Sequence, residues 1–198
     1  IALIDKLLLM NITYNPFFDP QLSPALERGK VSFGSKTVGQ DGLLDELMMR
    51  CGMAFATHPA GTRIISLIEA LGKDSREYVW SRSFKIDPAG VAREIISWRD
   101  NLMQDYELKD LRGISKRLDD LADVSCKIPA GSVDAWLALE DRLRNGGVKP
   151  LTDSDVIDVT VPERLVRGVV RRVLTMCGAT VRYRDGIKEC EGQNVTLY

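Results

Sequence analysis

A chain of 198 residues, 44% hydrophobic and 28% charged, is long enough to bury a substantial core in one domain or two small ones, which excludes the disordered and collagen-like classes. The net charge of −1 gives the whole molecule no pull toward nucleic acid or an acidic membrane, so any such attraction has to be local. The longest apolar run is too short to cross a bilayer, and no segment joins a basic start, an apolar centre and a small-residue cleavage site, so the expected location is cytoplasmic with no membrane partner.

The chain opens with IALIDKLLL ahead of Met10, and residues 1–9 are expected to be upstream sequence outside the functional part. ITYNPFFDP, residues 12–20, combines β-branched and aromatic residues with closing prolines, which suits a strand running into a loop. GLLDELMMRCG, residues 42–52, places Leu43, Leu44, Leu47 and Met48 on one helical face, with Asp41 as N-cap and Gly52 as stop. A second helix is expected over residues 59–72, opened by Pro59, and REYVWSRSF, residues 76–84, reads as a strand. The clearest helix follows: Asp87 caps it, Pro88 suits its first turn, and Val91, Ile95, Trp98 and Leu102 line one face while the other is charged.

Residues 113–124 put Ile114, Leu118, Leu121 and Val124 on one side of another helix, and residues 132–145 make a further one ended by Gly146 and Gly147. DVIDVTV, residues 155–161, reads as a strand, Pro162 opens a helix to Cys177, Gly178 closes it, and TVRYR, residues 180–184, is a strand again. A strand, a helix and a strand in about thirty residues form a βαβ unit with neighbouring parallel strands. The expected fold class is therefore α/β, a layered βαβ sheet flanked by helices over residues 10–190, with a helical insertion at about 101–147 and residues 191–198 starting a linker or next segment.

GKVSFGSKT, residues 29–37, is one step from a phosphate-binding P-loop, G-x-x-x-x-G-K-[ST]: Gly29 and Gly34 have the right gap, but Ser35 stands where the lysine belongs. One reading is a nucleotide-binding enzyme using Gly34, Lys36 and Thr37; the other is a glycine-containing turn, because the displaced lysine breaks the geometry that brings it to the phosphates. A second signal is basic: residues 162–184 hold six arginines and one acid, Glu163, a local charge of +5. Arg164, Arg167 and Arg171 fall on one face of the expected helix, opposite Leu165, Val169, Val173 and Leu174. With Arg172 they are candidate DNA contacts, against the alternative of a solvated face paired with acids elsewhere.

Cys51, Cys126, Cys177 and Cys190 have no metal-ligand spacing and read as reduced thiols, and His58 is the single histidine, so no metal site or catalytic triad is assembled. The adjacent acids Asp119 and Asp120, and Glu140 and Asp141, read as solvated faces, and Trp98 and Trp136 as core or interface residues.

DPAGVAREIISWRDNLM, residues 87–103, resembles an Asp-Pro helix with the pattern A-x-x-[LI]-[LI]-x-W-R-D-x-L found early in bacterial proteins of the helicase-nuclease B-subunit type. These join an inactivated helicase-like N-terminal part to a PD-(D/E)XK nuclease. Here the pattern is Ala92, Ile95, Ile96, Trp98, Arg99, Asp100 and Leu102, preceded by Asp87. YNPFFD at 14–19, VGQDGLLDELMMRCG at 38–52 and VPERLVRGVVRRVLTMCGATV at 161–181 are similar segments in a suitable order. The motifs are structural, and none is a catalytic signature.

The resemblance implies a degenerate, P-loop NTPase-like α/β layering without a working phosphate site, in which GKVSFGSKT is a loop before the helix at 42–51. It implies a non-catalytic domain acting in DNA repair or recombination, whose partners are DNA and either the remainder of a longer chain or a helicase subunit. The nuclease residues and their divalent metal would lie beyond Tyr198, with no cofactor in this part. A third reading is a protein-interaction module with no nucleic acid, docking through the apolar faces at 43–48 or 132–143.

Overall fold

A computed structural model describes residues 11–18 and 35–184. The segments expected to be upstream sequence, 1–9, and the start of a linker, 191–198, lie outside the described residues. Four short strands, β1 (Asn11–Tyr14), β2 (Ser35–Val38), β3 (Val156–Val159) and β4 (Thr180–Tyr183), form one parallel sheet in the order β2-β1-β3-β4. Seven helices accompany them among the described residues: α1 (Gln40–Arg50), α2 (Ala60–Gly72), α3 (Ser81–Ile86), α4 (Pro88–Leu102), α5 (Lys116–Ser125), α6 (Ser132–Gly146) and α7 (Gly168–Met176). The fold is α/β, and β3-α7-β4 is the expected βαβ unit.

Side chains alternate across the pleat, and the two sets differ sharply in polarity. Ile12, Tyr14, Val38, Ile157 and Val159 are buried on one face, where Leu43 and Leu47 of α1, Trp136 and Leu139 of α6, and Val170 and Val173 of α7 close over them. The apolar stripes at 43–48 and 132–143 are thus already spent on the sheet and present no free docking face.

A second apolar cluster is purely helical, built from Leu67 and Leu71 of α2, Ala92 and Ile95 of α4, and Leu121 and Val124 of α5, with Tyr78 and Trp80 between them. This cluster draws on residues 67–128, whereas α6, which also falls within the helical insertion expected at about 101–147, turns its tryptophan to the sheet.

Local chemistry explains where the other expectations shift. Residues 76–84 are not a strand: Tyr78 and Trp80 both point into the helical core, and α3 starts at Ser81. The backbone there is satisfied locally, with Tyr78 N donating to Ser81 Oγ at 2.8 Å and Val79 N to Asp120 Oδ2 at 2.8 Å, which removes the need for a ladder partner. GKVSFGSKT is not wholly a loop, since residues 35–37 belong to β2; its earlier residues, Gly34 included, lie outside the described ones. Gly39, not Asp41, occupies the N-cap of α1.

Helix α4 begins as expected, with Asp87 Oδ1 accepting from Gly90 N at 2.8 Å and Pro88 in the first turn. Helix α5 is capped later than expected by Ser115, which leaves Ile114 ahead of the helix and 67% exposed. The single helix expected from Pro162 to Cys177 is broken in two. Glu163–Leu165 is a 3₁₀ turn, Val166 and Arg167 are extended, and α7 starts only at Gly168. Gly178, at φ +95°, follows α7, and a β-carbon there would lie 2.3 Å from Leu151 O, so only glycine fits.

Candidate nucleic-acid interface at the carboxyl edge of the sheet

Because all four strands are parallel, their carboxyl ends meet at one edge. The ladder continues one residue past it, through Asn15 N to Val38 O at 3.0 Å, Thr160 N to Tyr14 O at 2.9 Å and Arg184 N to Val159 O at 3.0 Å. In the order β2-β1-β3-β4 the chain leaves β1 toward one side and returns on the other, so the switch point lies between β1 and β3, where open α/β sheets hold ligands. The segment emerging there from β3 is the broken helix, residues 160–167.

That break decides where the arginines go. Buried Val166 pins the segment, Arg164 sits on the 3₁₀ turn, Arg167 occupies the N-cap of α7 and Arg171 lies one turn into it. They do not form one helical face opposite Leu165, which is 53% exposed. Arg164 and Arg171 nevertheless converge on one open depression with Pro162 and Glu163. Burial pushes the Tyr14 phenol up to about 12, and the charge of Arg167 partly opposes that rise. All three arginines are exposed, and among the described residues none of them is held in an ion pair.

Arg172 is different. Its Nε and Nη2 donate to the two oxygens of Glu140 at 2.8 and 2.9 Å, and Nη1 donates to Gln104 O at 2.9 Å. Glu140 is itself buried and also accepts from Arg144, so Arg172 is a structural cation joining α7 to α6. The first turn of α7 also meets a carboxylate: a β-carbon on Gly168 would lie 1.8 Å from Asp105 Oδ1 and 2.9 Å from Gln104 O. The helix start is thus approached by an acid of the chain itself, which leaves the arginine side chains as the anion-attracting groups of this edge.

The near P-loop residues do not join them. Lys36 lies inside β2 with Nζ 3.2 Å from Glu46 Oε2 of α1, and Thr37 is exposed on the opposite face of the strand. A phosphate cradle needs the lysine at the junction of strand and helix, and here that junction is Val38 and Gly39.

Asp87, Trp98, Arg99 and Asp100 are gathered elsewhere, in the helical unit. Arg99 is buried; its Nε donates to Ser125 Oγ at 3.0 Å, Nη1 to Asp100 Oδ1 at 2.8 Å and Asp134 Oδ2 at 3.0 Å, and Nη2 to Asp134 Oδ1. Arg63 completes the set, clasping Asp100 with two bonds of 2.7 and 2.9 Å and donating to Pro129 O at 2.9 Å. Burial raises the Asp134 carboxyl, but Arg99 and the Gly131 N–H outweigh it and hold the group below its ordinary value. The network ties α2, α4 and the start of α6 together. Trp98 is half-buried, with the Arg117 guanidinium 5.3 Å from its ring centre.

Sequence reasoning missed this network, although a signal was present. Arg99 continues the spacing of Ala92, Ile95 and Ile96, and Glu140 that of Trp136, Leu139 and Leu143, so each charge sits on an apolar stripe. Asp120 is buried as well and accepts from Val79 N and Lys116, so neither Asp120 nor Glu140 belongs to a solvated face.

Cys51 and Cys177 are buried free thiols and Cys126 is an exposed one, while Cys190 lies outside the described residues. Among the described residues no three of His, Cys, Asp and Glu converge to hold a metal. No described helix is long and apolar enough to cross a membrane. No protein-family model matches the chain, and a search of curated proteins finds none similar to it.

Proposed function

We propose that this chain is a non-catalytic, helicase-like α/β domain of a DNA-processing helicase-nuclease protein acting in repair or recombination, and that it holds the DNA backbone through Arg164, Arg167 and Arg171. The observation that carries the reading is their placement: three exposed arginines, none ion-paired among the described residues, follow the carboxyl end of β3, and Arg164 and Arg171 line one depression there. Guanidiniums at such an edge suit phosphates, whose contacts position a nucleic acid without reading its sequence. The parallel layering supports a helicase-like origin, and the pairing of Lys36 with Glu46 suits a domain that has no phosphate cradle of its own.

Any nuclease chemistry and its metal belong to a part of the parent protein outside this chain. The test is the salt dependence of binding to a labelled DNA duplex. Replacing all three arginines by alanine should weaken binding and flatten the slope of log K against log salt by roughly 0.9 for each phosphate no longer neutralised. Unchanged affinity and slope would remove this edge from the account.

A further inference from the structure

Among the described residues, the second face of the sheet is unlike that of most parallel sheets. Such sheets are normally covered on both sides, and their strands read as continuous apolar runs. Here α1, α6 and α7 all pack on the face of Ile12 and Ile157. The register sets Thr13, Thr37, Asp158 and Arg182 in one row across the other face, and the ladder bonds beyond it bring up Thr160 and Arg184. Val156 is the one apolar side chain on this face among the described residues. Thr37, Asp158, Arg182 and Arg184 are exposed, and Asp158, Thr160, Arg182 and Arg184 line one shallow depression.

A face of hydroxyls and guanidiniums does not suit an apolar partner, whose docking would strip water from polar groups without replacing their hydrogen bonds. It does suit a phosphodiester backbone, which takes its contacts from arginine, serine, threonine and asparagine. Arg182 and Arg184 outnumber Asp158, and neither arginine is ion-paired among the described residues. On one side of a strand the two lie about 6.6 Å apart, close to the rise of two nucleotides along a duplex strand, about 6.8 Å. The face is continuous with the arginine edge, because Thr160 begins the segment that carries Arg164 and Arg167.

We infer that this polar face, on which none of the described helices packs, is a second part of the nucleic-acid surface, along which the phosphate backbone passes from Arg164, Arg167 and Arg171 over Arg184 and Arg182. This inference rests on the reading of the edge as a DNA contact, and its residues are separate from those of the edge. Asp158 stands directly opposite Arg182 and weakens the attraction, so the face makes a prediction of opposite sign at that one position.

The experiment compares four forms of the full 198-residue chain by fluorescence anisotropy of a labelled DNA duplex across a salt series. They are the wild type, R164A/R167A/R171A, R182A/R184A and D158N. The double variant is expected to flatten the salt slope by roughly 1.8, the equivalent of two phosphates, and D158N to bind more tightly than the wild type. All substitutions are at exposed positions, and equal thermal midpoints establish that the fold is kept. If the triple variant loses affinity while R182A/R184A and D158N match the wild type, the inference about the face is overturned and the edge reading stands. If the wild type does not bind the duplex, both fall together.

Discussion

Replacing Arg99 by alanine is the sharpest test of how the two apolar clusters are held together. The change removes four donor bonds, to Ser125, to Asp100 and two to Asp134, from a side chain that is only 5% exposed. Asp100 keeps its two bonds from Arg63, and Asp134 keeps the Gly131 N–H at 2.7 Å. The loss should therefore fall at the low end of the range for breaking a buried ion pair, about 3 kcal/mol. For a chain of this size each kcal/mol moves the thermal midpoint by roughly 2–4 °C, which gives a drop of about 6–12 °C.

Thermal unfolding followed by circular dichroism measures it, and acid unfolding supplies a second, independent reading. The depressed Asp134 carboxyl contributes stability that is present in full above the ordinary carboxylate pKa and is lost as pH falls through its lower folded value. R99A should lose part of that acid sensitivity, and S125A, which removes one acceptor from the buried guanidinium, should cost about 2 kcal/mol. A midpoint that falls by less than about 2 °C in R99A, with the acid transition unmoved, would refute the argument that this network joins the clusters.

Arg172→Ala leaves buried Glu140 with Arg144 alone and should destabilise the chain by about 2 kcal/mol, whereas Arg171→Ala should leave the melting midpoint unchanged; equal melting losses in the two would show that the division between them is wrong. Tyr14 should ionise only near pH 12, so its contribution to stability is intact below the ordinary phenol value of 10 and is lost as pH rises toward 12. Near-ultraviolet titration of Y14F against the wild type isolates that step, and R167A should push it higher; an unmoved step would separate Arg167 from the phenol. Lys36→Ala should alter stability by no more than about 1 kcal/mol, since its partner bridge is half exposed, and addition of ATP should not shift the melting midpoint of either form; an ATP-dependent rise abolished in K36A would restore the nucleotide-binding reading.

Much of the architecture was legible in the order of residues. The βαβ unit at the C-terminal end, the Asp87 cap and the apolar stripes of α1, α4 and α6 follow from periodicity and punctuation. The failures share a cause, which is that period and propensity describe one element while its neighbours decide the outcome. Tyr78 and Trp80 alternate like strand residues, yet Asp120 and Ser81 satisfy the backbone between them. The edge strand β2 is a run of Ser, Lys, Thr and Val with one buried side chain, too polar to announce itself. At the candidate site the concentration of arginines was visible, but which were spent was not. Arg172 is taken by a glutamate 32 residues earlier in the chain, a partner that no local pattern names.

The central pairing of the sheet also sets the order in which the chain can assemble during synthesis. Asn11 lies beside Val156, so β1 must wait for nearly the whole described chain before its second neighbour exists, and closing so long a loop carries a large entropic cost. The helical cluster, by contrast, is complete by Ile128. It can condense while β3 is still inside the ribosome, and its Arg99 would then be waiting for Asp134 when α6 emerges.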